Sequence, residues 1–197
     1  MIKRLFDLII SGFALLIFSP ALLMIIVVVK ITSPGKVFFT QYRVGLHQQK
    51  FRIFKFRTME ENSEMDGRLT VGDDPRITKI GGFLRKFKLD ELPQLWNVFI
   101  GDMSLVGPRP EVEEFVKLYK DEDSKIIFSV RPGITDLASI ELIDESRILS
   151  GYEDPRQAYI DIILPLKISM SIKYIRRRSI LYDFYILLLT IRKIIVG

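Results

Sequence analysis

The 197-residue chain contains no cysteine and a single histidine, His47. Without cysteine there is no disulfide framework, no thiol nucleophile and no cysteine-ligated zinc. With one histidine, any histidine-based metal cluster or Ser-His-Asp triad must pass through His47. That residue lies in GLHQQK, which reads as a polar turn with the imidazole in solvent. No G-x-x-x-x-G-K-[ST] stretch occurs, so an ATP-binding P-loop is not supported. Internal repeats and low-complexity tracts are absent as well. Acidic residues are in the minority, 24 against 29 lysines and arginines, for a formal net charge of +5. Such a balance points to anionic partners: nucleic acid, acidic lipid or a phosphorylated small molecule. The length suits one domain with a sizeable core.

What is present begins with a long apolar run, MIKRLFDLIISGFALLIFSPALLMIIVVVK, in which Asp7 is the only ionisable residue between Arg4 and Lys30. As a helix it is long enough for the roughly 30 Å hydrocarbon layer. Two features argue against a simple crossing. Ser19-Pro20 falls near its middle, where proline removes a backbone donor. Lys3 and Arg4 precede the run while Lys30, Lys36 and Arg43 follow it, so the positive-inside tendency draws both ends to the cytoplasmic face. A proline-kinked crossing and a re-entrant helix broken at Ser19-Pro20 both satisfy the pattern. Asp7 is expected near the interface, close to Lys3 and Arg4, because a carboxylate deep in lipid is costly.

Beyond it, KVFFTQYRVGLHQQKFRIFKFRTM (Lys36–Met59) reads as a β-hairpin with a polar turn at Gly45–Gln49. Aromatic and basic residues interleave on its second strand, a pattern that also suits stacked bases, but no RNA- or DNA-binding motif accompanies it and the apolar N-terminus argues against nucleic acid. Glu60–Arg76 is expected to be a surface loop, and Ile80–Phe87 carries helical periodicity. A helix from Pro93 to Gly101 would bury Leu92, Leu95, Trp96 and Phe99. Gly107, Pro108 and Pro110 predict a rigid turn holding Arg109 outward. Further on, a helix over Glu111–Lys120, a charged turn over Asp121–Lys125 and a turn at Arg131-Pro132-Gly133 are expected. Ile180–Val196, preceded by Arg176, Arg177 and Arg178, reads either as an amphipathic helix in the headgroup region or as a buried core helix.

The chemistry concentrates in KLDELPQLWNVFIGDMSLVGPRP, Lys88–Pro110. Asp90 and Glu91 stand at the entrance to the Pro93 helix, where free N–H groups and the dipole attract anions. A phosphate there would meet Lys55, Arg85 and Arg109, and phosphate beside carboxylate repels unless a divalent cation bridges them. That set suits phosphoryl transfer, with one carboxylate attacking phosphorus or activating an attacker. Capping of a helix start uses the same residue pair. A paired-carboxylate glycosidase fits less well, because its carboxyls face each other across a bond.

Read as whole blocks, the chain resembles the bacterial sugar transferases, monotopic phosphoglycosyl transferases that attach a phosphosugar to a polyprenol phosphate. The blocks are KRLFD with Ser19-Pro20, FTQYRVGL, FRIFKFRTM, DDPRITKIGGFLRK, LDELPQLWNVFIGDMSLVGPRP and VRPGIT. The resemblance implies an α+β, mostly helical fold. It would comprise a re-entrant membrane helix over residues 1–32 and a cytoplasmic catalytic domain over 33–197 with a small β-hairpin and interfacial helices. It implies Asp90 as covalent nucleophile toward the β-phosphorus of a UDP-sugar, Glu91 as second acid, and Mg2+ bridging Asp90 and the diphosphate. Lys55, Arg85 and Arg109 would hold phosphate oxygens. Undecaprenyl phosphate or a similar carrier would be the acceptor, at the cytoplasmic face of the inner membrane. After Thr135 the chain departs from the commoner Gly-Leu-Ala-Gln-Val with Asp136-Leu137-Ala138-Ser139-Ile140-Glu141, which leaves the sugar open. No further N-terminal membrane domain is expected, and self-association is left open. The rival from another class is a non-enzymatic membrane adaptor that binds anionic lipid or a glycan-assembly partner.

Overall fold

The computed structural model describes residues 2–61, 69–142 and 144–196, so the expected loop over Glu60–Arg76 lies partly outside the described residues. The fold is α+β and mostly helical, with two small two-stranded sheets. Helix α1 (Ile2–Thr32) takes up the apolar run and is long and apolar enough to cross a membrane. The helix assignment continues through Ser19 and Pro20, so any change of direction at this step is a bend within the helix at its internal proline. Pro20 has no N–H for the Leu16 carbonyl one turn back. The Ser19 hydroxyl donates to that carbonyl at 2.7 Å, which is how an apolar helix tolerates a proline.

Both halves of α1 touch the rest of the protein. Phe6, Ala14 and Leu15 pack on a core of Val98, Met103, Leu105 and Val106. Leu22, Ile25, Ile26 and Val29 pack with Phe56 and Leu84. Arg4 donates to the carbonyls of Val98 and Phe99, the latter at 2.8 Å. Asp7 is buried in the protein and stands near Lys3 as expected, 4.0 Å from its ammonium. Its carboxylate exchanges water for the Ser104 hydroxyl at 2.8 Å and the Leu105 N–H at 3.2 Å.

Strands β1 (Phe38–Val44) and β2 (Lys50–Phe56) form the expected antiparallel hairpin, Phe38 opposite Phe56 and Val44 opposite Lys50. His47 is exposed in the turn, at a φ of 53°. Helix α2 (Lys79–Lys86) starts at Thr78, whose hydroxyl accepts from the Gly81 N–H at 3.0 Å. After a 3-10 turn at Leu89–Glu91 comes α3 (Gln94–Ile100), closed by Gly101 at a φ of 102°.

The expected burial of Trp96 and Phe99 is corrected. Trp96 is 49% exposed and Phe99 38%, their rings stacked 5.8 Å apart. Leu92 and Leu95 do face the core as expected, with Val98, and the polar Gln94 and Asn97 are buried beside them. Asn97 accepts from the Phe54 N–H at 3.1 Å and donates to the Arg52 carbonyl at 2.8 Å, so α3 is stitched to β2 by hydrogen bonds. That rotation leaves Trp96, Phe99 and Ile100 outside.

Strands β3 (Ser104–Val106) and β4 (Gly133–Thr135) make a parallel ladder, Ser104 opposite Gly133 and Val106 opposite Thr135. Between them the expected Glu111–Lys120 helix shortens to α4 (Glu113–Val116). The expected charged turn is instead helix α5 (Asp121–Ile127), whose first turn holds Asp121, Glu122 and Asp123 where the helix dipole favours acids. Two short helices, α6 (Leu137–Glu141) and α7 (Glu145–Leu149), follow β4. A long helix then runs from α8 (Pro155–Ala158) through a π turn (Tyr159–Ile163) into α9 (Leu164–Arg177). The last helix, α10 (Ile180–Val196), buries Asp183 and Ile186 and exposes Leu181, Phe184, Tyr185, Leu188 and Ile191. Asp183 pairs with Lys3 of α1 and accepts from the Tyr174 hydroxyl of α9 at 2.7 Å, which ties both ends of the chain together.

Candidate active site

The dyad sits in the 3-10 turn between α2 and α3, entered through Lys88 in a left-handed conformation. Asp90 and Glu91 are both buried. Several of the helix amides expected to be free are spent within the chain: Glu91, Leu92, Leu95 and Trp96 donate to the carbonyls of Lys88, Leu89, Leu92 and Pro93. Attraction for anions therefore rests largely on side-chain cations.

Glu91 is the hub. One of its oxygens accepts from Lys55 Nζ at 2.8 Å and from Arg109 Nη2; the other accepts from Arg109 Nη1 at 3.2 Å. Burial alone would raise the Glu91 carboxyl, but Arg109 and Lys55 together hold it well below its ordinary value. Arg109 is raised in turn by the Glu91 charge. Lys55 is pulled down by burial, against the opposing charge of Glu91.

Asp90 differs from its neighbour. Burial, then the adjacent Glu91 charge, push its carboxyl up, while Lys55, Lys88 and Arg85 pull the other way. Its Oδ1 is buried with no hydrogen-bond partner among the described residues. Leaving a buried carboxyl oxygen unpaired is costly, and this sets Asp90 apart from Glu91. Of the expected cations, Lys55 and Arg109 meet the dyad directly. Arg85 reaches it only through its field, its guanidinium donating to the hydroxyls of Thr58 at 2.8 Å and Thr70 at 3.2 Å.

Arg109 points inward, not outward as the glycine-proline turn suggests. A Cβ on Gly133 would stand 2.1 Å from the Gly107 nitrogen, and one on Gly107 would stand 2.6 Å from the Arg131 carbonyl oxygen. Only glycines let β3 and β4 approach this closely, and that approach swings the following loop over the dyad. Asp136 then accepts the Arg109 backbone N–H at 3.3 Å and caps α6 through the Ser139 N–H at 2.7 Å.

Behind Arg109 lies a second buried charge cluster that sequence reasoning missed. Glu111 pairs with Arg43 at 3.7 Å and Lys167 at 3.6 Å, and accepts from the Tyr159 hydroxyl at 2.6 Å. Burial would raise Glu111, but Lys167 and Arg43 hold it below its ordinary value. These residues come from β1, the loop before α4, and the α8–α9 helix, so no linear spacing announces them. A groove of about 730 Å³ lies elsewhere. It runs along α9 over Leu118, Ile160, Leu164 and Ile168 with Lys173 and Arg176 at its edge, and its walls include none of the dyad or its cations.

This geometry, a buried carboxylate pair among arginines and lysines in a helical domain joined to an apolar N-terminal helix, accompanies clear sequence kinship. The family model described as bacterial sugar transferase matches residues 1–197, and the chain belongs to that family. It is 39% identical over 203 residues to the Aeromonas hydrophila UDP-N-acetylgalactosamine-undecaprenyl-phosphate N-acetylgalactosaminephosphotransferase, covering 100% of this chain and 44% of that protein. It is 37% identical over 209 residues to the exopolysaccharide production protein ExoY of Rhizobium meliloti strain 1021, covering 97% of this chain and 84% of that protein. It is also 36% identical over 198 residues to the UDP-glucose:undecaprenyl-phosphate glucose-1-phosphate transferase of Escherichia coli K12, covering 98% of this chain and 40% of that protein. The chain thus spans less than half the length of two of these three relatives.

Proposed function

We propose that the protein transfers a phosphosugar from a UDP-sugar to a polyprenol (undecaprenyl) phosphate, releasing UMP and starting assembly of a cell-surface glycan. The observation that carries this reading is the asymmetry of the dyad: Glu91 clamped and ionised by two cations, Asp90 buried with an oxygen left unpartnered. Two relatives named as UDP-sugar and undecaprenyl-phosphate transferases support the choice of donor and acceptor.

Asp90 attacks the β-phosphorus. An Asp90 O–P bond forms as the bond from that phosphorus to the bridging oxygen breaks, and UMP leaves with the bridging oxygen. A phosphate oxygen of the polyprenol carrier then attacks the same phosphorus, and the Asp90 carboxylate departs. Arg109 and Lys55 neutralise charge that develops on the phosphoryl oxygens. Glu91, held ionised, orients those two cations rather than shuttling a proton.

Magnesium fits this residue set as a passenger of the diphosphate. No group of three or more His, Asp or Glu suited to a metal occurs among the described residues. Asp90 keeps an unsatisfied oxygen, and Mg2+ is commonly held by one or two carboxylates plus substrate phosphates. Asp90 would be the protein ligand, and the bound ion would supply charge neutralisation across the diphosphate.

We place α1 in one leaflet at the cytoplasmic face of the inner membrane, entering and returning. A straight 31-residue helix is about 46 Å long. A spanning helix of that length carries its ends to opposite sides, whereas both halves of α1 pack on the one domain that holds the site. The outward Phe83, Trp96, Phe99, Phe184 and Leu188 support interfacial contact by α2, α3 and α10.

Asp90→Asn tests the reading. Incubated with a panel of UDP-sugars and no lipid acceptor, the wild type releases UMP with one of them and the folded variant releases none. Normal release by Asp90→Asn removes the nucleophile assignment. No lipid-linked product from the wild type with any donor, in membranes holding polyprenol phosphate, favours the adaptor.

A further inference from the structure

We infer that Gln94 is a further catalytic residue, a hydrogen-bond donor to the phosphoryl group while Asp90 carries it. This rests on the reading of Asp90 as nucleophile. Gln94 is 1% exposed, yet its amide Nε2 has no hydrogen-bond partner among the described residues. A buried amide donor left unpaired is destabilising, so a purely structural glutamine here would be a liability that methionine or leucine avoids.

Its position explains what the donor is for. Leu92 and Pro93 both have right-handed helical backbones, at φ −53°, ψ −36° and φ −60°, ψ −18°. The chain therefore turns helically without interruption from the dyad into α3. Side chains on a helix lean back toward its N-terminus and cover the residues three and four positions earlier. For Gln94 those residues are Glu91 and Asp90. Neighbouring Asn97, one turn further on, is fully engaged with Phe54, Arg52 and Asp102. Gln94 is thus the inward polar side chain of α3 whose amide nitrogen is unspent.

Two buried orphans lie one turn apart, an acceptor on Asp90 and a donor on Gln94. A phosphoryl group satisfies both, since its phosphorus bonds the aspartyl oxygen while one of its own oxygens accepts from the amide. Glu91 does not serve as that acceptor, since the Gln94 amide nitrogen makes no hydrogen bond to it. When the Asp90 O–P bond forms and UMP leaves, the amide N–H meets negative charge on the transferred group, the arrangement by which a preorganised donor lowers a barrier.

Gln94→Met tests this, because methionine keeps the volume and removes the donor. UMP release in the absence of lipid acceptor falls about 100-fold, the typical effect of removing one such donor. The melting temperature of the full-length chain in detergent stays equal or rises, because the unpaired donor is gone. Unchanged UMP release, or a rate loss matched by a lower melting temperature, overturns the inference. Where Gln94→Met does not fold, Gln94→Asn, which withdraws the amide by one methylene, is scored the same way. Asp90→Asn in parallel separates the two readings. If Asp90→Asn is inactive while Gln94→Met keeps wild-type UMP release, the role of Gln94 alone falls; if Asp90→Asn is active, the nucleophile itself is lost.

Discussion

Replacing Glu91 by glutamine removes one negative charge from between two cations while keeping the side-chain shape. The Lys55–Glu91 contact is 2.8 Å, and Arg109 spans both carboxylate oxygens. Breaking a buried pair by removing one partner costs roughly 3–5 kcal/mol. The side chains of Lys55 and Arg109 keep 19% and 30% of their exposure, so water recovers part of the loss. The low end, about 3 kcal/mol, is the expected value. For a chain of this size that lowers the melting temperature by about 6–12 °C. The measurement is thermal unfolding of wild type and Glu91→Gln in the same detergent, followed by circular dichroism across pH. The sign follows from linkage: a carboxyl held below its ordinary 4.5 contributes stability above that pH and loses it as pH falls toward the folded-state value. The gap between the two proteins is therefore full at pH 7 and narrows below about pH 4.5. A gap under 2 °C at pH 7, or one that does not narrow in acid, would show a screened surface pair and refute the view of Glu91 as the buried hub.

Gly133→Ala drives a methyl group into the Gly107 backbone, 2.1 Å from its nitrogen and 2.4 Å from its oxygen. Neither atom can move without parting β3 from β4, so a loss of about 3 kcal/mol is expected, with Arg109 displaced from the dyad. A wild-type melting temperature would mean the ladder has slack. The absence of native cysteine gives a clean test of topology. Cysteines introduced singly as Ile2→Cys and Val196→Cys react with an impermeant maleimide only after the cytoplasmic side is opened. Labelling of position 2 from outside rules out re-entry.

The hairpin, α2 and the extent of α3 were legible in sequence because each carries its own local signal: alternation around a polar turn, helical periodicity, and proline and glycine at opposite ends of a helix. The orientation of α3 was not. Of the stripe Leu92, Leu95, Trp96 and Phe99, the two leucines face the core and the two aromatics do not, because β2 presents backbone groups to Asn97 and draws the polar side inward as well. Asp7 was expected near Lys3, where it lies, but its hydrogen-bond partners Ser104 and Leu105 are nearly a hundred residues away and could not be read from the sequence. Arg109 shows the difference most clearly. Its identity and its neighbours Gly107 and Pro108 were visible, but its direction depends on Gly133 crossing Gly107 and on Asp136 gripping its backbone. Asp136 belongs to the stretch that departs from the commoner family pattern, so here the departure is built into the support of a site cation. Charges that act together in this site come from β2, the turn after α2 and the loop after β3. Their types can be read along the chain, but the pairing that clamps Glu91 and spares Asp90 arises only when three separate segments meet.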